Sequence, residues 1–224
     1  MLVACEESQE VCKAFRARGH RAFSCDIQEC SGGHPEWHIQ DDVTLVLNGD
    51  CLFLTAEGKA HMQTGTWDLI IAHPPRTYLT VSGNRWFDVS RYGGKALQRW
   101  NDRADAVNFF MRFVNAECDK IAIENPIGYM NTYYRKPDQI VHPYYFGDPV
   151  RKATCLWLKG LPPLQKTNVV EPNIIKDRNT SYSGPAYYAK DENGKILSWN
   201  DPRTAKARSK TYHGFALAMA EQWG

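Results

Sequence analysis

Apolar positions fall along the chain in short blocks whose spacing alternates between strand-like and helix-like. Leu2-Val3-Ala4-Cys5 is a continuous apolar run that passes directly into Glu6-Glu7-Ser8. Val11, Ala14 and Phe15 then recur at helical spacing, and Gly19 supplies the stop. Ala22-Phe23-Ser24-Cys25-Asp26 reads as a second short strand that ends on a carboxylate. Strand, turn, helix and strand in that order open a right-handed βαβ unit.

The same alternation continues. Trp37-His38-Ile39 leads into Asp41-Asp42-Val43 as a third strand, and Trp67-Asp68-Leu69-Ile70-Ile71-Ala72 is an apolar run of the buried parallel kind. Between them, residues 48–66 flank the turn signal Glu57-Gly58-Lys59 and predict an inserted hairpin. Val107, Phe110, Met111 and Val114 share one face of a helix over 101–117, starting near Asp102. Ile121-Ala122-Ile123 is a further buried strand ending on Glu124. Phe215, Ala216, Met219 and Ala220 predict a last helix after Gly214. Residues 160–203 are rich in Pro, Asn, Gly, Tyr and Lys and read as loops and one hairpin, with a turn at Asp191-Glu192-Asn193-Gly194-Lys195. The fold class is α/β.

Length and composition narrow this further. With 224 residues, 43% of them apolar, the chain can build one domain with a real core and a small appendage. A charged share of 23% excludes wholesale disorder. No apolar run approaches the ~20 residues of a membrane span. The start, MLVACEES, lacks the basic and apolar regions of a signal peptide, so neither a membrane nor a secretory route is expected. The 27 basic and 25 acidic residues nearly cancel, so only local charge can speak for a polyanionic partner. Seven cysteines without a C-x-x-C pair support neither a zinc ribbon nor a thioredoxin-type site. They predict scattered buried thiols in a reduced, cytoplasmic protein without a metal.

Candidate chemistry gathers at strand ends, where open α/β sheets bind ligands. The loop Cys5-Glu6-Glu7-Ser8-Gln9 lacks the glycines of a dinucleotide fingerprint, and its acids would repel phosphates. A cofactor with a cationic centre and a ribose suits it better, and S-adenosylmethionine is one. Asp26 could take both ribose hydroxyls. His73-Pro74-Pro75 after a buried strand forms a stiff exit from the sheet, useful where placement matters. Glu124, fixed by Asn125-Pro126, could hydrogen-bond a ring nitrogen, and Arg151 could clamp a phosphate or carbonyl. Arg85, Arg91, Lys95, Arg99 and Arg103 interleave with Trp86, Phe87, Tyr92 and Trp100, and Arg203, Lys206, Arg208 and Lys210 form a second basic group. Both suit a phosphate backbone with bases stacked on rings. Each feature alone also reads as a capped turn, a basic strand end or a solvated helix face.

Taken in order, these segments resemble the DNA cytosine-C5 methyltransferase family, in particular its short phage-type forms. Val3-Ala4-Cys5-Glu6-Glu7-Ser8 with Phe15 and Gly19 looks like the first cofactor motif, and Cys25-Asp26-Ile27 like the ribose-binding strand end. His38-Ile39-Gln40-Asp41-Asp42-Val43 is similar to the adenine-contacting motif. His73-Pro74-Pro75 looks like the catalytic Pro-Pro-Cys loop, Glu124-Asn125-Pro126 like Glu-Asn-Val, and Arg151 like the later catalytic arginine. Ser209-Lys210-Thr211-Tyr212-His213-Gly214-Phe215 resembles the last block, which returns over the cofactor.

The resemblance implies a Rossmann-like class I sheet in 1–159, with the 48–66 hairpin inserted. A small target-recognition lobe would occupy 160–203, and 204–224 would return to the catalytic domain. It implies S-adenosylmethionine held by Cys5, Glu6, Glu7, Ser8, Asp26, Ile27, Asp42, Val43, His73 and Pro74. Catalysis falls to the position of Arg76 and to Glu124 and Arg151. DNA, with its target cytosine flipped out, would meet Arg85, Arg91, Lys95, Arg99, Lys152 and Lys210, in a bacterial cell or phage-infected host.

In such enzymes a thiolate adds to carbon 6 of cytosine, and the resulting enamine attacks the sulfonium methyl. The base must leave the duplex to be reached. Arg76 stands where the family carries that cysteine. A guanidinium stays protonated and cannot attack carbon 6. Three readings follow: an inactivated enzyme, a natural binder of DNA and cofactor, or a non-covalent reaction. Amino methylation of DNA bases is a further alternative, although its loop normally has a polar residue before Pro-Pro and an aromatic after it, which His73 and Arg76 match poorly.

Overall fold

Strands covered on both faces need apolar side chains in both directions, and the short runs read from the sequence supply them. The computed structural model describes residues 1–177, 180–183, 191–195, 197–198, 201–204 and 211–224. In chain order, β1 (Leu2–Ala4), α1 (Glu10–Ala17), β2 (Phe23–Asp26) and β3 (His38–Gln40) form the opening unit. β4 (Cys51–Leu54) and β5 (Ala60–Gln63) follow, then β6 (Ile70–Ala72). Next come α2 (Val89–Tyr92), α3 (Gly94–Val114), β7 (Ile121–Pro126), α4 (Met130–Tyr133), β8 (Gln139–Val141) and β9 (Thr154–Lys159). β10 (Ile174–Asp177), β11 (Thr180–Ser183) and α5 (His213–Trp223) complete the described elements.

Seven strands form one sheet in the order β3-β2-β1-β6-β7-β9-β8. The first five are parallel, with Leu2 opposite Phe23 on one side and Ile70 on the other, and Ile70 opposite Ile121. β9 runs against both β7 and β8, so it is the one reversed strand of this sheet. Inside β1, β6 and β7 the side chains divide between two cores. Leu2, Ala4, Ile70, Ala72, Ile121 and Ile123 meet Val107, Phe110 and Phe113 of α3. Val3, Ile71 and Ala122 meet Val11 and Phe15 of α1 and Phe215, Met219 and Trp223 of α5. Helices therefore cover both faces.

The chain steps from β1 toward β2 and β3 on one side, and later to β6 and β7 on the other. That reversal opens a crevice at the carboxyl ends of the parallel strands. β4 and β5 pair antiparallel as a separate two-stranded sheet, with Cys51 opposite Gln63 and Leu54 opposite Ala60. Phe53 anchors them, its ring 5.0 Å from that of Phe23.

Two element boundaries differ from the pattern. α3 begins at Gly94, well before Asp102, because its first two turns bury only Ala96 and so show no apolar period. Gly93, at φ 52°, separates it from α2, a left-handed turn that glycine allows. In the 160–203 stretch the paired strands are β10 and β11, while Asp191–Lys195 closes a turn through Asp191 N–H to the Lys195 carbonyl, 2.9 Å. No helix among the described residues is long and apolar enough to cross a membrane.

Candidate functional site

Parallel strands deliver whatever follows their last residues to the same edge of the sheet. The Cys5–Gln9 turn follows β1, Asp26 closes β2, Asp41-Asp42 follow β3, His73-Pro74-Pro75 follow β6, and Glu124 lies near the end of β7. Lys152 precedes β9, and because β9 is reversed its start lies at this edge too.

The turn after β1 is held by its own groups. Cys5 and Gln9 both adopt left-handed φ, 59° and 58°, uncommon for residues with side chains. Between them Glu6 is buried, and its carboxylate accepts the N–H groups of Val11 at 2.6 Å and Cys12 at 3.1 Å. The carboxylate thus fills the donor end of α1, the position at which a dinucleotide fold holds pyrophosphate. Burial raises the Glu6 pKa to about 7, against the lowering effects of His73 and those two N–H groups.

A polar lock missed by pattern reading fixes the turn from outside. The buried Gln9 side chain donates to Ser24 Oγ (3.2 Å) and the His34 carbonyl (2.9 Å), and accepts His34 N–H (3.1 Å). His38 is buried in β3, with Nε2 2.8 Å from the Gln28 carbonyl and Nδ1 2.9 Å from Ser24 Oγ. Gly32 fits against Gln9 and Ser8 only because it lacks a Cβ, which would come within 2.5 Å of Gln9 Cβ. The pair Gly32-Gly33 was the sequence signal for this close approach.

On the β1–β2–β3 side, the Cys5 thiol is pushed well up, first by burial and then by the charges of Asp26, Cys25 and Asp42. Asp26 accepts Gln28 N–H at 3.0 Å, and Asp42 caps the following turn through Thr44 N–H at 2.9 Å. Ile27 is 75% exposed beside Asp26, whereas Ser8 and Val43 are buried. Glu7 accepts the Ser31 hydroxyl.

On the β6–β7 side, His73 Nδ1 lies 3.3 Å from Glu124 Oε2. Burial alone would lower the His73 pKa, but the Glu124 hydrogen bond and the charges of Glu124 and Glu6 hold it above the ordinary value. Burial would raise Glu124, but His73, then Lys152 and Arg76, pull it below the ordinary value. Asn125 Nδ2 donates to the Pro74 carbonyl at 2.8 Å, tying the two-proline loop to β7. His73 Nε2 and Asn125 Oδ1 are buried without a hydrogen-bond partner.

Arg76 is half-buried, and its charge acts on Glu124. Arg151 is exposed and its charge acts on His142, while the neighbouring Lys152 acts on Glu124. Lys152 Nζ also lies 5.4 Å from the ring of Tyr212, just ahead of α5. Arg85, Arg91 and Lys95 are exposed. Arg99 turns toward Tyr78 and Phe87, its guanidinium 5.0 and 5.1 Å from their rings. Arg103 is buried against Phe87. Arg203 pairs with Asp201 at 3.0 Å, while Lys206, Arg208, Ser209 and Lys210 lie outside the described residues.

A cavity of about 470 Å³ opens at the opposite edge of the sheet, beside Met1, Asp68, Lys120 and Trp223. Chemistry rather than volume selects the crevice: the carboxylate–imidazole pair and the strained turn are there. No group of three or more metal-ligating side chains occurs among the described residues. No protein-family model and no curated protein matches the chain.

Proposed function

We propose that this chain is a cytosine-C5 DNA methyltransferase scaffold that binds S-adenosylmethionine and presents a cytosine to it, with the covalent step disabled by Arg76. The observation that carries the reading is the meeting of three separate motif segments, the two-proline loop, the end of β7 and the start of β9, at the Glu124 carboxylate. His73, Arg76 and Lys152 all act on Glu124. A sheet with one reversed strand between two parallel neighbours is the arrangement expected of class I methyltransferases, and it supports the reading.

The donor end of α1 is filled by Glu6, which disfavours a phosphate-bearing cofactor there. Asp26 fits a ribose, and Asp42 and exposed Ile27 fit the amino group and the face of an adenine. When bound, the cofactor supplies an electrophilic methyl group. Glu124, kept anionic by His73, can accept a hydrogen bond from a protonated ring nitrogen or an amino group of cytosine. Pro74, tied to Asn125, holds the loop rigid against β7. Arg76 carries a permanent charge where carbon 6 needs a nucleophile, so this chain lacks the group that activates the ring.

Two measurements test the proposal. Calorimetric titration with S-adenosylhomocysteine should show one-to-one binding that Asp26→Ala abolishes or weakens strongly. Tritiated methyl transfer to DNA should be absent for this chain and appear for Arg76→Cys. Cofactor binding without transfer by either protein would favour the silent binder, and no cofactor binding at all would defeat the assignment.

A further inference from the structure

The segment after the two-proline loop exposes rings that a folded chain ordinarily covers. Trp86 and Trp100 are each 42% exposed and Tyr133 is 57% exposed. The rings are ordered rather than scattered. The Arg85 guanidinium lies 4.6 Å from the Trp86 ring, Trp86 lies 5.1 Å from Tyr92, and the Arg91 guanidinium lies 5.5 Å from Tyr92. This is a ladder of two rings with a guanidinium at each end. Trp100 packs on Phe87, the residue after Trp86, edge-on at 5.0 Å and donating to the Phe87 carbonyl at 3.1 Å. Beyond Trp100 a cleft of about 140 Å³ is walled by Trp100, Tyr129 and Tyr133, with Asn108 at its side. Tyr129 and Tyr133 stack at 5.4 Å.

Charge and ring faces together select the occupant. Residues 81–100 hold Arg85, Arg91, Lys95 and Arg99 against the single acid Asp88. Asp88 is already engaged, accepting N–H groups of Ser90 and Arg91 at the start of α2. Arg99 and Arg103 face inward, which leaves Arg85, Arg91 and Lys95 for an outside anion. Duplex DNA presents phosphates and groove edges but keeps its base faces stacked. A single strand offers both phosphates and free base faces, and aromatic platforms in a basic groove are the physical answer to it.

We propose that this surface is a track for single-stranded DNA, with unpaired bases on Trp86, Trp100 and Tyr133 and phosphates at Arg85, Arg91 and Lys95. The choice of DNA over RNA rests on the methyltransferase reading, whereas the preference for a single strand rests on the exposed rings. The track joins the crevice through its own fold: Tyr129 N–H donates to the Leu79 carbonyl, 2.6 Å, in the loop that carries Arg76. A strand lying on it reaches the proposed cytosine site without melting a duplex there.

The test uses the full chain and fluorescein-labelled thymidylate of about 12 nucleotides, with the matching duplex and uridylate as competitors. Anisotropy should show the DNA single strand binding at least about tenfold more tightly than the duplex, and Trp86→Leu and Tyr133→Leu each weakening it about tenfold. Circular dichroism melts unchanged in both variants would show that the loss is one of contact rather than of folding. Equal or tighter duplex binding overturns the proposal, as does tighter uridylate binding. Competition by polyglutamate as strong as by the DNA strand, or parent-like binding by both folded variants, also overturns it. Homocysteine-product calorimetry on the same preparation separates the two readings: strand binding without cofactor binding sinks the methyltransferase alone, and the converse sinks the track alone.

Discussion

His73 Nδ1 stands 3.3 Å from Glu124 Oε2, so the ends of β6 and β7 are joined by a side-chain contact as well as by the backbone ladder. Each partner holds the other in its ionised form. Removing the acid leaves a buried imidazole with Lys152 nearby and only Glu6 to favour its charge. Glu124→Gln should therefore drop the His73 pKa below the ordinary imidazole value of about 6.5. Imidazole resonances followed by NMR across pH report it, and an unchanged titration would show that the pair does not exist in solution.

Glu6 predicts a pH dependence of stability. Its folded pKa is about 7, above the unfolded carboxylate value, so the folded chain binds the proton more tightly. The stabilisation is complete below the unfolded pKa and is lost as pH rises through about 7. His73, also raised, acts in the same direction. Melting temperature should fall from about pH 5 to about pH 8, with Glu6 contributing at most about 3 kcal/mol. Scanning calorimetry of Glu6→Gln should give a flatter profile, and a slope equal to the parent's would refute the assignment.

Gly128 marks the tightest approach between the two-proline loop and the end of β7. A Cβ there would sit 1.9 Å from the Leu79 carbonyl oxygen, a backbone atom that cannot swing aside. Gly128→Ala should cost about 2–3 kcal/mol and lower the melting temperature by roughly 5–10 °C. Gly94→Ala, where the added methyl meets nothing, is the control and should shift it by no more than about 1–2 °C.

Arg103 is the internal brace of the same loop. Its Nε donates to the Tyr78 carbonyl at 2.9 Å and its Nη2 to Asn84 Oδ1 at 2.7 Å, while the guanidinium carbon lies 3.4 Å from the centre of the Phe87 ring. Arg103→Met should destabilise by about 2–4 kcal/mol and expose residues 76–92 to limited proteolysis. Arg103→Lys should not rescue it, because one ammonium cannot reach both acceptors and stack at once. A lysine variant as protease-resistant as the parent would reduce this arginine to a charge.

Much of this architecture was legible in the order of apolar runs. β1, α1 and β2 follow from Leu2-Val3-Ala4, from Val11, Ala14 and Phe15, and from Phe23–Asp26, because local periodicity and a nearby core agree there. The acids at strand ends were legible for the same reason. β8 was not, since Gln139-Ile140-Val141 is too short to carry a period. Nor was the reversal of β9, which depends on pairing partners and not on local pattern. At the site, burial was the hidden variable. Gln9 looks like a loop polar and His38 like an ordinary strand polar in one dimension, yet they lock the first turn. Arg99 and Arg103 look like companions of Arg85 and Arg91, but helix rotation carries them inward. Lys152, one residue past Arg151, also acts on Glu124, which residue order alone does not show.

The reversed β9 has a consequence for how such a scaffold can diversify. A backward strand leaves the crevice as it advances, so Gly160 emerges at the far end of the sheet, packed against the Asp119 carbonyl. The following segment then climbs back, with Asn168 N–H bonded to the Tyr145 carbonyl, Val170 to Tyr144 and Asn173 to Pro149. Side chains hold it as well: Leu164 is buried, Gln139 and Gln222 donate to the carbonyls of Leu164 and Gln165, and Lys166 lies 4.2 Å from the Tyr145 ring. A segment laid outside the sheet in this way can change in sequence without breaking the β7–β9 pairing that sets Glu124 opposite Leu156.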